Sequence, residues 1–377
     1  MAEDLTKCRP FPIILKFSIP VIGGNLFQLF YTLADTIIVG QTIGENALAA
    51  VGATTVFVYF ILCFIQGLTN GFSIILAQSI GARDHGGARK NIAASIYISL
   101  ACTIVITPVT CALTPFIIDI MEVPEEIRKD ASVYLFVVLA GTGATILYNL
   151  VSNILRALGD SRLPLAYLVF SSLLNVVLDI VFIVPFGMGV GGAALATVFS
   201  QLIAGILSLI SGIKRYDVLR LQKEDWRGAF EKIGANIRLG FLMGFQMSVM
   251  CIGQLVMQAS VNSLGMEAIA GYTAATKVDQ LSVLVNNAFI TAIAAYVAQN
   301  YGAGEKERIR KGVWASLAIT EITDFIMIAI ILIIEPFIVP MFVSDASPLV
   351  FDYAWDFFKL TAPTGEPVGF WWIGLHH

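Results

Sequence analysis

Ten runs of about 20 or more mostly apolar residues follow one another along the chain. They lie near 14–39, 51–80, 92–118, 131–154, 163–186, 191–213, 238–262, 269–299, 313–339 and 351–373. An α-helix rises about 1.5 Å per residue, so about 20 residues cross the hydrocarbon core of a bilayer. Each run is therefore a candidate membrane-spanning helix. The tenth is the weakest, since it contains Asp352, Asp356, Lys359, Pro363, Glu366 and Pro367. Charge supports the same reading. Of 377 residues only 13% are charged and 57% are hydrophobic, whereas soluble domains carry about 25% charged residues. Too little charge is available to cover a water-facing surface. The expected fold is an all-α polytopic membrane protein of about ten helices.

Several function classes fall away. The net charge of −4 leaves no basic footprint for nucleic acid. Cys8, Cys63, Cys102, Cys111 and Cys251 form no CxxC pair, and His85, His376 and His377 form no ligand cluster. No HExxH, GxSxG or P-loop occurs, so neither an enzyme nor a cofactor is expected. The start, MAEDLTKCRPF, is too acidic for a signal-peptide n-region, and the first apolar run is expected to stay as a helix. The glycine-rich Gly187–Gly192 stretch lies between two apolar spans, where a tight turn and close helix packing explain it.

Basic residues alternate between the connecting loops. Lys7, Arg9 and Lys16 precede or open span 1, and Arg83, Arg89 and Lys90 lie between spans 2 and 3. Arg156 and Arg162 lie between spans 4 and 5, seven Lys or Arg between spans 6 and 7, and Lys306, Arg308, Arg310 and Lys311 between spans 8 and 9. The alternate loops near 40–47, 187–190 and 263–267 hold none; Arg128 and Lys129 are offset by Glu122, Glu125 and Glu126. The positive-inside rule then predicts a multi-pass protein of the cell membrane with a cytoplasmic N-terminus.

An internal repeat runs through the sequence at an offset of 221. It carries Gly44 to Gly265, Ala77-Gln78 to Ala298-Gln299 and Gly81-Ala82 to Gly302-Ala303. It also carries Arg89-Lys90 to Arg310-Lys311 and Pro115-Phe116-Ile117 to Pro336-Phe337-Ile338. Six spans separate the copies, so both cross the membrane in the same sense, as a parallel repeat. The predicted organisation is a first lobe over 1–213, a cytoplasmic loop over 214–237 and a partial second lobe over 238–377. Partners for spans 5 and 6 are missing from the second copy. The expectation is a truncated or frame-shifted product, with a naturally shorter protein as the alternative.

Acids inside apolar spans need a reason, because a charge at the bilayer centre costs at least about 2.5–3.5 kcal/mol on insertion scales. In span 1, Asn25, Gln28, Thr32 and Asp35 share one helical face, with Tyr31 one turn before the acid and the helix-bending Pro20 below. In span 5, Ser172, Asn175 and Asp179 share another. Span 6 offers Thr197 and Gln201, span 4 Asn149 and Asn153, and span 2 Gln66, Asn70 and Ser73. Amides and hydroxyls alone can be interhelical glue, and Asp35 alone can snorkel to water. Two carboxylates among them point to a cation or proton site. In the second half the offset partner of Asp35 is Val256. Gln254, Lys277 and Asp279 are the polar candidates there for a substrate cavity, alongside Gln28 and Asn153.

The stretches LADTIIVGQTIGENALAAVG (33–52), AQSIGARD (77–84), LRALGDSRLP (155–164), LLNVVLDIVFIVPFGMGVGGAALATV (173–198) and VAQNYGAGEKERIRKG (297–312) resemble the multidrug and toxic compound extrusion (MATE) family. The resemblance implies twelve helices in two six-helix lobes arranged as a V around a central cavity, with no cofactor. It is greatest to the DinF-like, Gram-positive exporter branch. It implies cation coupling at Asp35, Asn175, Asp179 and Thr197, a hydrogen-bonding role for Asn149, and bending and gating roles for Pro20 and Tyr31. Na+ would be held by Asp35, Asn175, Asp179 and Thr197. The seventh-helix acid of the NorM-like branch has no match, since Met250 stands there. The implied function is a monomeric antiporter that exports amphiphilic organic cations in exchange for Na+ or H+. The alternatives are a lipid-linked sugar flippase of the same superfamily and a non-transporting fragment.

Overall fold

The computed structural model describes residues 4–7, 9–262 and 266–342, with side chains for all of these except parts of 255–281 and 328–342. Among the described residues every regular element is helical. In chain order they are α1 (Pro10–Thr42), α2 (Glu45–Gly81), α3 (His85–Ile120), α4 (Glu125–Ala140), α5 (Thr142–Ala157), α6 (Arg162–Ile183) and α7 (Gly189–Arg215). The short α8 (Lys223–Gly228) is followed by α9 (Phe230–Asn262), α10 (Met266–Gly302) and α11 (Lys306–Phe342). Seven of these are long and apolar enough to cross a membrane, and the pair α4–α5, bent by 45°, makes an eighth such span.

The first nine predicted spans all fall on helices, and the tenth lies outside the described residues. One prediction needs correction: span 4 is not one continuous helix. It breaks at Gly141, whose absent side chain is what lets α7 approach, since a Cβ there would lie 2.1 Å from Val198 Cγ2. The helices also extend past the apolar runs, because their polar ends carry local caps. Asp84 accepts from Gly87 N at 2.8 Å to open α3. Asp160 accepts from Arg162 N and Leu163 N at 3.0 and 3.1 Å to open α6. Each satisfies amide donors left over at a helix start. The Gly187 and Gly189 turn joins α6 to α7 with φ of 61° and 56°, a conformation that favours glycine.

The helices are inside-out by the standards of a soluble protein. On α6, Asn175 and Asp179 are 0% exposed while Leu173 is 65% exposed. Large apolar side chains such as Ile104, Phe116, Val184 and Phe325 face outward, as a hydrocarbon solvent requires.

The repeat is visible in the elements themselves. Shifting α2 by 221 residues reproduces α10 end to end, because 45 and 81 become 266 and 302. The two copies meet at small residues, which let backbones approach. Gly67 and Gly71 of α2 abut Met243, Gly244 and Gly240 of α9. At the end that carries the basic loops, Gly81 presses on the Gln299 carbonyl and Gly302 on the Gln78 carbonyl, a reciprocal contact with the same 221 offset. Gln299 Nε2 also donates to Ala157 O at 2.8 Å. The lower half of α1 (Ile13, Ile14, Phe17 and Val21) packs with Ala288, Phe289, Ala292 and Tyr296 of α10 and Ile319 of α11. Leu5 ahead of it is 1% exposed, and its carbonyl accepts from Asn300 Nδ2 at 3.2 Å and Arg308 at 3.3 Å. The segment between α7 and α9 is tied to the bundle by an Arg89–Asp225 pair at 3.1 Å, and the helix ends that flank it by Lys90–Glu231 at 3.1 Å and Arg215–Asp160 at 3.4 Å.

Candidate cation site

Helices α1, α6 and α7 bring the predicted acids together. Gly23 and Gly24 of α1 sit against Leu165 and Leu168 of α6, which lets the two axes run close and carries the upper half of α1 alongside Asp179. The carboxyl groups of Asp35 and Asp179 lie within hydrogen-bond range of each other. Two acceptor-only carboxylates at that separation repel unless a proton or a cation lies between them.

The neighbours are neutral oxygen and amide groups. Asn175, one turn before Asp179, satisfies its amide with Nδ2 donating to Asp179 Oδ2 at 2.9 Å and Oδ1 accepting from Thr197 N at 3.1 Å. The reverse setting leaves only a 3.4 Å contact from Nδ2 to Thr197 Oγ1. Tyr31 Oη and Thr197 Oγ1 share a hydrogen bond at 3.2 Å, linking α1 to α7. Asp35 Oδ1 and Asp179 Oδ1 are buried and receive no hydrogen bond. Buried orphan carboxylate oxygens beside amide and hydroxyl oxygens form a donor set suited to a hard cation. Among the described residues no group of three His, Cys, Asp or Glu gathers as a multidentate metal centre.

The other predicted positions divide. Pro20 lies inside α1, where its missing N–H deprives the Lys16 carbonyl of a helical donor. Asn149 spends its amide on Thr145 O of its own helix at 2.9 Å, and Thr145 in turn donates to Gln201 at 2.7 Å. No hydrogen bond among the described residues joins Asn149 to either acid. Asn153 lies apart from the acids, donating to Thr69 Oγ1 at 2.9 Å. Gln28 and Gln254 are exposed on α1 and α9. The side chains of Lys277 and Asp279 lie outside the described residues.

Two features escaped the sequence. Tyr134 of α4 stands close enough to interact electrostatically with both Asp35 and Asp179. Its only polar neighbour at i±3 or i±4 is Asp130, near the start of α4, so no polar stripe like those around Asp35 and Asp179 marks it. In the second repeat, Asp324 of α11 is 8% exposed and accepts from Asn286 Nδ2 of α10 at 3.0 Å. That pair joins two helices and cannot be read from either helix alone.

Comparison with known proteins agrees with this architecture. The MatE family model matches residues 20–181 and 243–367. The probable multidrug resistance protein YpnP of Bacillus subtilis is 31% identical over 312 residues, covering 82% of this chain and 69% of that protein. The probable multidrug resistance protein NorM of Thermotoga maritima is 28% identical, covering 88% of this chain and 72% of that protein. A solved outward-facing conformation of a multidrug resistance MATE family transporter superposes with a TM-score of 0.85 at 27% identity, over 94% of this chain and 79% of the other. With its inverted polarity, parallel repeat and matched span, the chain is a multi-pass membrane protein and belongs to the MATE family.

Proposed function

We propose that the chain is a secondary antiporter of the cell membrane, its N-terminus cytoplasmic, exporting amphiphilic organic cations in exchange for Na+ or H+. The observation that carries this reading is the facing pair Asp35 and Asp179, held on different helices with Asn175, Thr197 and Tyr31 around them. One positive charge resolves their repulsion, so coupling cation and cationic cargo compete for the same carboxylates. A cation moving inward gains about 2.3 kcal/mol per 100 mV of membrane potential, which supplies the driving force. Pro20 divides the helix that carries Asp35, so a change at the site can alter the bend of α1 while α6 and α7 stay in place. Rocking of two lobes about the glycine seam then exposes the site to one face or the other. With the basic-loop end closed by Gly81 and Gly302, this conformer faces outward.

The test is cationic dye export from proteoliposomes under an imposed Na+ or pH gradient, comparing wild type with Asp35→Asn and Asp179→Asn. Each variant should lose gradient-driven export, and the gradient that drives wild type identifies the coupling ion. Wild-type export by both variants would reject the coupling role.

A further inference from the structure

A second polar pocket lies away from the acids, in the seam between the repeats. It is lined by Asn70 and Ser73 of α2, Asn153 and Arg156 of α5, and Thr291 of α10, closed by alanines including Ala77 and Ala295. Its free volume of about 10 Å³ suits one water-sized guest. Ala77 and Ala295 each precede the Gly81–Gln299 contact by four residues, so the pocket sits about one helical turn inside the point where the repeats close.

Its charge is unbalanced. Arg156 Nη1 donates to Asn153 Oδ1 at 3.0 Å, and Asn153 is held in that orientation by its own bond to Thr69. Arg156 Nε is buried and meets no acceptor. Among the described residues no Asp or Glu lines the pocket, and none forms an ion pair with Arg156. A guanidinium is permanently charged, carries five donors and cannot escape by deprotonation. Arg156 is half-buried, and its enclosed Nε, with no counter-charge beside it, is best satisfied by an acceptor of opposite sign. The Ser73 and Thr291 hydroxyls donate within their own helices, at 2.7 Å to Asn70 O and 2.9 Å to Asn287 O, so the other donors open to an anion are the amide N–H groups of Asn70 and Asn153.

We propose that the Arg156 pocket binds a small monovalent anionic group, either a free ion such as chloride or a carboxylate carried by a zwitterionic substrate. Because α2 and α5 supply one wall and α10 the other, the two walls are together while the basic end is shut and separate when the repeats part. Anion binding itself is independent of the antiport reading; only the substrate arm below rests on it.

The first arm is thermal unfolding of the detergent-purified full chain in sodium chloride or sodium acetate, against sodium gluconate at matched ionic strength. Chloride and acetate should raise the wild-type midpoint by a few degrees, because a guest that binds only the folded state stabilises it. Arg156→Lys should keep part of the rise, and Arg156→Gln should lose it. The second arm compares vesicle transport of a rhodamine ester cation with its free-acid zwitterion. Arg156→Gln should lower the acid-to-ester ratio about tenfold, the scale of one lost charge-assisted hydrogen bond. A midpoint rise with an unchanged ratio assigns the site to a free anion, and a lowered ratio assigns it to a substrate carboxylate. No midpoint difference among the salts in wild type together with no zwitterion transport overturns the proposal, as does an Arg156→Gln protein that matches wild type in both arms. The wild-type salt series stands even if Arg156→Gln does not fold.

Discussion

Replacing Gly81 or Gly302 by alanine places a wedge at the seam between the repeats. A Cβ on Gly81 would lie 1.8 Å from the Gln299 carbonyl oxygen, and one on Gly302 would lie 1.8 Å from the Gln78 carbonyl oxygen. Real Cβ contacts stay beyond 3.0 Å, so α2 and α10 must separate locally by at least the 1.2 Å difference. The obstacle is backbone, not the flexible end of a side chain, so the contact cannot relax by a rotamer change. Overpacking of this kind costs about 1–3 kcal/mol. If that cost falls only on the conformer closed at the basic end, the balance between the two transport conformers shifts about 5- to 150-fold. The assay is a spin-label distance measured across the seam between Ala82→Cys and Ala303→Cys, the repeat-related residues just past the two glycines. Gly81→Ala should move population from a short to a longer distance, Gly302→Ala should do the same, and the double variant should do so more strongly. Export should fall in parallel. A distance distribution identical to that of the unwedged protein, in a variant that folds, would show that this contact does not govern closure.

Two further predictions concern one contact between the repeats and one within the second repeat. Cys63 Sγ of α2 and Cys251 Sγ of α9 lie 2.8 Å apart as free thiols, so copper–phenanthroline should crosslink the repeats. After cleavage at a protease site inserted in 216–222, the halves should stay joined until reduced, and Cys63→Ser should abolish the link. Asn286→Ala removes a donor to buried Asp324 and should destabilise the protein by about 1–3 kcal/mol. Thermal unfolding should show that loss, and Asn286→Gln, which keeps an amide, should recover part of it.

The membrane fold was legible because its determinants are local and one-dimensional. Length and apolarity locate a span, and a repeated offset relates the two halves without any knowledge of packing. The break at Gly141 was not legible, since the reason for that glycine is Val198 on another helix. At the cation site, Asp35 and Asp179 could be found because polar residues at helical spacing mark a face. That the two faces oppose each other depends on Gly23 and Gly24 fitting against Leu165 and Leu168, a tertiary fact. The same limit hid Tyr134, Asp324 with Asn286, and the isolation of Arg156. From sequence, Arg156 counts as one more basic residue near a loop. Its significance comes from the absence of any acid in the pocket around it.

Helix α1 has divided loyalties. Below Pro20 its apolar side chains lodge among α10 and α11, and Leu5 is fastened to the same helices. Just above Pro20 it still touches α10, where Asn25 Nδ2 donates to Leu284 O at 2.8 Å, while Gly23 and Gly24 lie along α6 and the upper end presents Asp35 to Asp179. One continuous rod is thus rooted in one half of the molecule and reaches its charged tip into the other, with Pro20 along its rooted part. A chemical event at the tip already has a mechanical connection to the far half through the backbone itself. No relay of side chains across the interior is needed to carry it.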